Sequence, residues 1–348
     1  MSTKQMIPVH TPLFEGNEKK YLQECIDTGW VSSKGQFVKR FEQAFAEKTQ
    51  TKLAIAVANG TAALETALWS AGIRNGEVIM PASTIISCAI AVLRVGAKPV
   101  FVDMEGSPTM DTKLIKEKIT ENTRAIMAVH LFGYSENMDK ILRLADKYGL
   151  KVIEDFSQSW GLELKGDAGC YSLYSNKLVN CGEGGIIVTN CEHIAHQARE
   201  YIDLYHSKER FIHSQIGYNF RISNLQAAVA LAQLEQVEKF IEIKLRNYGL
   251  YQKYLNSADT ILHKVELPWM YLIKADSAEG TVTYLKDKGI DSRRFFYPLP
   301  YQPALMFLHQ HKKMFHQADA LWQKNLYLPS GLTLTEEEIK YICGVLNG

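Results

Sequence analysis

The sequence carries no excess of charge of either sign, with 39 lysines and arginines against 38 aspartates and glutamates. That balance offers no basic face for nucleic acid and no cationic patch for an anionic membrane. Its six cysteines (25, 88, 170, 181, 191 and 343) form no C-x-x-C pair. The common zinc and redox spacings are therefore absent, and reduced thiols in a cytoplasmic protein are expected. No apolar run resembling a secretory leader opens the chain, which begins MSTKQMIPVH. The longest apolar stretches, such as IISCAIAVL, fall far short of the roughly 20 residues that span a bilayer. Neither G-x-G-x-x-G nor G-x-x-x-x-G-K-[ST] occurs, which removes the dinucleotide and P-loop fingerprints. His193 and His196 lie i, i+3 on a predicted helix and HQH occurs at 309–311, but no further ligand follows at a recognisable spacing, so no metal is expected. No internal repeat or low-complexity tract is visible.

What the chain does have is apolar material, 46% of its residues, arranged as short β-rich runs between helical segments. The runs are KLAIAVA (52–58), EVIMP (77–81), KPVFVD (98–103), AIMAVH (125–130), KVIED (151–155), CYSLYS (170–175) and GGIIVT (184–189). Most are apolar at consecutive positions, as in strands buried on both faces. Helix candidates at 60–72, 84–96 and 137–149 alternate with them, which predicts a mostly parallel sheet covered by helices. After about residue 222 the texture changes. NLQAAVALAQLEQVEKFIEIKLRNYGLYQKYL reads as one long helix with Ser223 or Asn224 as N-cap. A strand in LPWMYLIKA, a short helix near 277–288, the proline-punctuated FFYPLPYQP and a final helix capped by Thr335 with Glu338 complete the chain. The organisation expected is a large α/β domain over 1–235, with an N-terminal arm at 1–30, and a smaller C-terminal α+β domain over 236–348.

One stretch is out of place in this scheme. YSNKLVNCGEGG (174–185) puts Lys177 between an apolar run and a glycine cluster. Alone, such a lysine is an ordinary solvated loop residue. However, KVIED ends in Asp155, and in open α/β sheets ligands gather at the carboxyl ends of the strands. An amine and a carboxylate meeting on that edge suit pyridoxal phosphate, which needs a lysine for its Schiff base and an acid beside its ring nitrogen. ANGTAAL adds a phosphate cradle: a strand ending at Ala58, a turn at Asn59-Gly60, and a helix start whose free N–H groups attract an anion.

On these residues the chain resembles the DegT/DnrJ/EryC1/StrS sugar aminotransferases. The likeness runs from IPVHTPLFEGNEKK through NGTAAL, KPVFVD, VHLFG, IEDFSQSWG and SLYSNKLVNCGEGGIIVTN to IGYNFRISNLQAAVALAQLEQ and RRFFYPLPYQPA. The resemblance implies the aspartate-aminotransferase-like fold type I, with a mostly parallel seven-stranded sheet. It implies Lys177 as the Schiff-base residue, Asp155 at the pyridine nitrogen and Gln158 at the ring's phenolic oxygen. Gly60, Thr61, Ala62 and Ser172 are implied at the phosphate. Asn219 is expected to reach the same phosphate from a second subunit, which makes the active unit a homodimer with shared active sites. Trp30 and Glu183 are implied on the substrate side. The implied reaction is ping-pong transfer of an amino group from L-glutamate to a keto sugar, a nucleotide-linked 4-keto-6-deoxy sugar by likeness to perosamine synthases. Lysine rather than histidine at 177 favours transamination over the family's dehydratase branch.

The sequence departs from the family pattern at three places, all toward the substrate. Ile85 stands where many relatives place an aromatic ring against the cofactor. Pro300 stands in YPLPYQP where many have histidine. The region between Leu255 and Pro268 is short. These departures keep open a smaller acceptor, such as dihydroxyacetone phosphate. A non-catalytic regulatory protein on the same fold is the other reading, with the Lys177–Asp155–Gln158 set against it.

Overall fold

The computed structural model describes residues 6–206, 209, 211–256, 265 and 267–348. In chain order its elements are α1 (Glu18–Thr28), α2 (Gln36–Lys48), β1 (Leu53–Val57), α3 (Gly60–Ser70), β2 (Glu77–Pro81), α4 (Ile86–Arg94), β3 (Lys98–Val102), α5 (Thr112–Lys118), β4 (Thr123–Val129), α6 (Met138–Tyr148), β5 (Lys151–Asp155), β6 (Ala168–Ser172), β7 (Gly185–Thr189) and α7 (Glu192–Ile202). The C-terminal part follows with α8 (Asn224–Leu234), α9 (Val237–Tyr254), β8 (Tyr271–Lys274), α10 (Ala278–Asp287), β9 (Arg293–Arg294), α11 (His316–Lys324), β10 (Asn325–Leu328) and α12 (Glu336–Leu346).

Strands β1 to β7 form one sheet in the order β1-β7-β6-β5-β4-β2-β3. The pairs from β6 to β3 are parallel, and β7 runs antiparallel to both β1 and β6. Because side chains alternate across a strand, each strand feeds two cores. Ile55, Val57, Met127, Val129, Ile153 and Ile187 join the core under α3, α4 and α7. Their neighbours Ala54, Ala56, Ile186 and Val188 join α1, α2 and α8 on the opposite face, while Ile126, Ala128 and Val152 meet α5 and α6 there. Consecutive apolar residues in the sequence are thus explained by burial on both sides. The outer strand β3 is covered at its edge: the Gln310 side chain accepts from Phe101 N at 2.9 Å and donates to Pro99 O at 2.7 Å. That pairing removes two open groups from a sheet edge.

A second sheet, β8-β10-β9, is antiparallel and packs its own core of Tyr251, Tyr271, Ile273, Leu326, Leu328, Ile339 and Ile342 with α9 and α12. Thr335 caps α12 and Glu338 closes the capping box. The strand expected across LPWMYLIKA is confined to Tyr271–Lys274.

The long helix predicted over 224–255 is a correction. It is two helices, α8 and α9, parted at Glu235 and Gln236. No glycine or proline marks the break. It is held by the N-terminal helix instead: the Glu235 carboxylate accepts from Tyr21 Oη and Asn17 Nδ2, both at 2.7 Å, and Gln236 Nε2 donates to Glu18 at 3.2 Å. Of the two N-cap candidates, Ser223 takes the role, accepting from Gln226 N at 3.2 Å. The arm that leads to α1 reaches the smaller sheet's side as well: beside Ile290, Ile7 N donates to Gly289 O and Ile7 O accepts from Asp291 N, both at 2.9 Å.

Candidate active site

Strands β5 and β6 run parallel with Asp155 beside Cys170, so both end on the same edge of the sheet. Beyond β6 the chain turns back into the antiparallel β7. Leu173 N donates to Gly184 O at 2.8 Å, Ser175 N to Gly182 O at 3.1 Å and Lys177 N to Tyr174 O at 2.8 Å. Lys177 sits at the tip of this turn, and Asp155 lies beneath it at the strand end. Both line one cavity of about 760 Å³, together with Gly60, Thr61, Ala62, Ile85, Gln158, Ser172 and Glu183.

The electrostatics separate the two charged groups. Asp155 is buried, accepting from Ser157 N at 2.9 Å and from the Cys88 thiol at 3.4 Å. Among the described residues no ion pair of 4 Å or less joins it. The Lys177 amine lies 4.3 Å from the centre of the Trp269 ring. Burial lowers its pKa to about 8, and the Asp155 charge pulls in the opposite direction. An amine in this range loses its proton near neutral pH, which nucleophilic and proton-transfer roles require. Gln158 Oε1 accepts from Phe132 N at 3.1 Å, which fixes the amide and leaves Nε2 as its donor.

The cradle is built by close approach. The α3 N-terminus follows β1 directly, with Asn59 as N-cap accepting from Ala62 N at 2.8 Å. Ala63 N bonds Asn59 O at 3.0 Å. Since the first four amides of a helix lack intrahelical partners, those of Gly60 and Thr61 are left, and both residues line the cavity. A Cβ on Gly60 would stand 2.9 Å from Ser172 Cβ, so only glycine lets the loop and the Ser172 hydroxyl share this space. Pyridoxal phosphate fits these groups: two helix-start amides and two hydroxyls for an anion, a buried carboxylate without a cation of its own, and an amine of lowered pKa.

The remaining expected residues divide. Ile85 is the N-cap of α4, 40% exposed, on the cavity wall. Glu183 also lines it and is fixed through its carbonyl, which accepts from Gln226 Nε2 at 2.7 Å. Trp30 does not line the cavity; it is 56% exposed, and its carbonyl accepts from Asn224 Nδ2 at 2.6 Å. Asn219 is exposed and pairs with Asp203, while its neighbour Phe220 reaches the cavity wall. Pro300 is buried in the turn Leu299–Tyr301, which docks on the end of β2 through Leu299 N to Ala82 O at 2.7 Å. The shortened region falls mostly on 257–264 and 266, outside the described residues.

The sequence reading missed several wall residues: Arg94, Trp269, Arg293, Phe296 and Tyr327. Arg94 ends α4 and bonds the buried Glu65 at 2.6 Å, while Tyr201 Oη donates to the other Glu65 oxygen at 2.9 Å. The other four come from the C-terminal part of the chain, far along it from the lysine turn, and no local motif marks them.

Fold and cavity together define a class, the pyridoxal-phosphate enzymes of fold type I. The chain belongs to the DegT/DnrJ/EryC1/StrS aminotransferase family, matching it over residues 12–347. It is 37% identical to a GDP-perosamine synthase of Escherichia coli O157:H7 over 98% of each chain. To a GDP-perosamine synthase of Vibrio cholerae it is 35% identical, again over 98% of each. Among solved structures, S. venezuelae DesV, in complex with a ketimine intermediate, superposes with a TM-score of 0.89 at 27% identity, covering 95% of this chain and 93% of that one. The protein is therefore an aminotransferase of a pyridoxal-phosphate-dependent family. No helix among the described residues is long and apolar enough to cross a membrane.

Proposed function

We propose that this protein binds pyridoxal 5′-phosphate and moves an amino group from L-glutamate to a nucleotide-linked 4-keto-6-deoxy sugar. The observation that carries the reading is the meeting of Lys177 and Asp155 in one cavity whose far wall is a helix N-terminus. The substrate class rests on the likeness to the two GDP-perosamine synthases.

Bound in this cavity, the cofactor supplies an aldehyde and a protonated pyridine ring that draws electrons from the substrate's amino-bearing carbon. The chain's residues have separate tasks. Asp155 holds the proton on the ring nitrogen by direct charge attraction. Gln158 donates to the ring's phenolic oxygen. The amides of Gly60 and Thr61, with the hydroxyls of Thr61 and Ser172, hold the phosphate at the start of α3, and Ala62 belongs to the same turn. Lys177 Nζ is the amine that would bond the cofactor's aldehyde, and as a free amine it would carry the proton at the substrate carbon. Ile85 packs against the ring, giving up an aromatic stacking contribution of about 0.5–1.5 kcal/mol. Glu183, on the cavity wall, is assigned to the substrate side, whereas Trp30 lies off that wall and is given no substrate contact here.

The active unit in this reading is a homodimer with shared sites. Asn219, exposed on its own chain, reaches the phosphate of the partner subunit. The two domains are divided at residues 235 and 236, where the helix breaks, and the enzyme works in the cytoplasm. A small phosphorylated ketone is the second acceptor to be weighed, because Pro300 carries no donor where relatives have histidine.

The test is a half-reaction screen. Protein loaded with cofactor and glutamate is offered nucleotide 4-keto sugars and dihydroxyacetone phosphate, and the visible spectrum is followed. Return of the aldehyde spectrum with the nucleotide sugars supports the proposal, and return with dihydroxyacetone phosphate alone overturns the substrate class. Borohydride reduction followed by peptide mapping should place a pyridoxyl group on Lys177; its absence overturns the cofactor assignment.

A further inference from the structure

Trp269, from the C-terminal part of the chain, is buried and makes two contacts with the lysine turn and a third with α9. Its indole Nε1–H donates to Asn176 O at 2.9 Å, one residue before Lys177. Its ring face lies 4.3 Å from Lys177 Nζ. Its own carbonyl accepts from Lys244 Nζ at 2.6 Å, and the same ammonium donates to Ser330 O at 2.7 Å. Phe132 and Tyr327 hold the ring from the side, with centroids 5.5 and 6.0 Å away.

We propose that Trp269, anchored from behind by the Lys244 ammonium, is the positioning residue that seats the Lys177 amine over the cavity. The inference rests on the reading of Lys177 given above. A lysine side chain has four rotatable bonds and no intrinsic seat. Here the backbone before it is fastened by the indole N–H, and its head group is drawn to the indole face by cation–π attraction, worth about 0.5–2 kcal/mol. Lys244 is buried, with burial and the Lys177 charge drawing its pKa down to about 7. Paired with two carbonyls and no carboxylate among the described residues, it ties α9 to the backbone on either side of the smaller sheet's β8 and β10.

The groups that face Lys177 from the surrounding elements are Asp155 of β5, Cys88 of α4, Lys244 of α9 and His10 of the N-terminal segment. His10 is held neutral, its pKa lowered to about 3 by burial and by both lysines. Asp155 favours a charged Lys177 amine, and the Lys177 charge in turn disfavours a charged Lys244. Trp269 and Lys244 therefore fix where the amine sits.

The experiment compares wild type with Trp269→Phe, Trp269→Leu and Lys244→Met. Pyridoxal phosphate is added to apoprotein across a pH series, trapped with borohydride at short times, and the pyridoxyl group on the Lys177 peptide is quantified by mass spectrometry. Circular dichroism reports folding. Displacing a reacting group by about 1 Å costs up to about a hundredfold, so Trp269→Leu should slow capture about tenfold or more, and Trp269→Phe, which keeps a ring but loses the N–H, should fall between it and wild type. Lys244→Met, which removes the donor to Trp269 O and Ser330 O, should slow capture across the pH series. If Trp269→Leu does not fold, the Phe variant decides: capture within twofold of wild type overturns the proposal. Capture within twofold of wild type in Lys244→Met removes the anchor's part in it. A wild-type protein that is not labelled at Lys177 sinks the cofactor assignment instead, so the two failures are distinct.

Discussion

Gly185 offers the sharpest test of how the cradle is built. It opens β7 opposite Val57 of β1, and its Cα lies under the turn that leads into α3. A Cβ there would stand 2.5 Å from Asn59 O, 2.6 Å from Asn59 C and 2.9 Å from Gly60 N. All three are backbone atoms, so no side chain can swing away. Reaching an ordinary contact of about 3.4 Å needs a backbone shift of nearly 1 Å. Overpacking of this kind costs about 1–3 kcal/mol. The shift also pulls on Asn59 O, which accepts the first helical bond from Ala63 N, adding about 0.5–1.5 kcal/mol. Gly185→Ala should therefore destabilise the fold by about 2–4 kcal/mol. At about 2.1 cal/mol/K per residue, a chain of this length has an unfolding entropy near 0.7 kcal/mol/K, so the melting temperature should fall by about 3–5 °C. Because the displaced atoms carry the Gly60 amide, affinity for pyridoxal phosphate should drop about tenfold or more, equivalent to 1.4 kcal/mol. Gly182→Ala is the control. That glycine has φ +83° with nothing within 4 Å of a Cβ, so alanine there meets backbone strain of about 1–2 kcal/mol and leaves the cradle alone. Differential scanning calorimetry and cofactor titration measure both quantities. Wild-type cofactor affinity in Gly185→Ala, with a melting temperature within a degree, would refute the close-approach argument.

Further outcomes follow from the same geometry. Capture of pyridoxal phosphate by Lys177 should rise with pH through about 8, because the amine reacts only when deprotonated and burial has lowered its pKa to that value; a flat profile from pH 7 to 9 contradicts this. In Asp155→Asn the profile should move to lower pH, since the carboxylate charge that favours the ammonium is gone. Replacing Asn59 with alanine should cost about 1 kcal/mol through loss of the N-cap bond to Ala62 N, seen as a fall of roughly 1–2 °C in melting temperature. Lys177→Ala should abolish turnover and the borohydride-fixed pyridoxyl group together; retention of either one detaches the lysine from the chemistry.

How much of this was legible beforehand varies by element. Each of the seven apolar runs overlaps a strand of the large sheet, although CYSLYS (170–175) shares only 170–172 with β6, and α3, α4 and α6 lie within a few residues of the helices expected at 60–72, 84–96 and 137–149. Burial on both faces leaves a plain mark, since such a strand reads as a near-continuous apolar run. The break between α8 and α9 left none, because it is imposed by Asn17, Glu18 and Tyr21 from another helix and residues 235–236 carry no breaker of their own.

The same division runs through the site. The sequence by itself determined the sheet, the lysine turn, the acid at the strand end and the glycine-bearing helix start, because each is a local feature written within about ten residues. Tertiary structure alone decided what surrounds them. It brought Trp269, Arg293, Phe296 and Tyr327 from the C-terminal part of the chain to the cavity wall and Lys244 to the back of Trp269, and it left Trp30 outside. These contacts join residues separated by most of a domain, and no periodicity or spacing encodes a meeting that depends on how two sheets pack together.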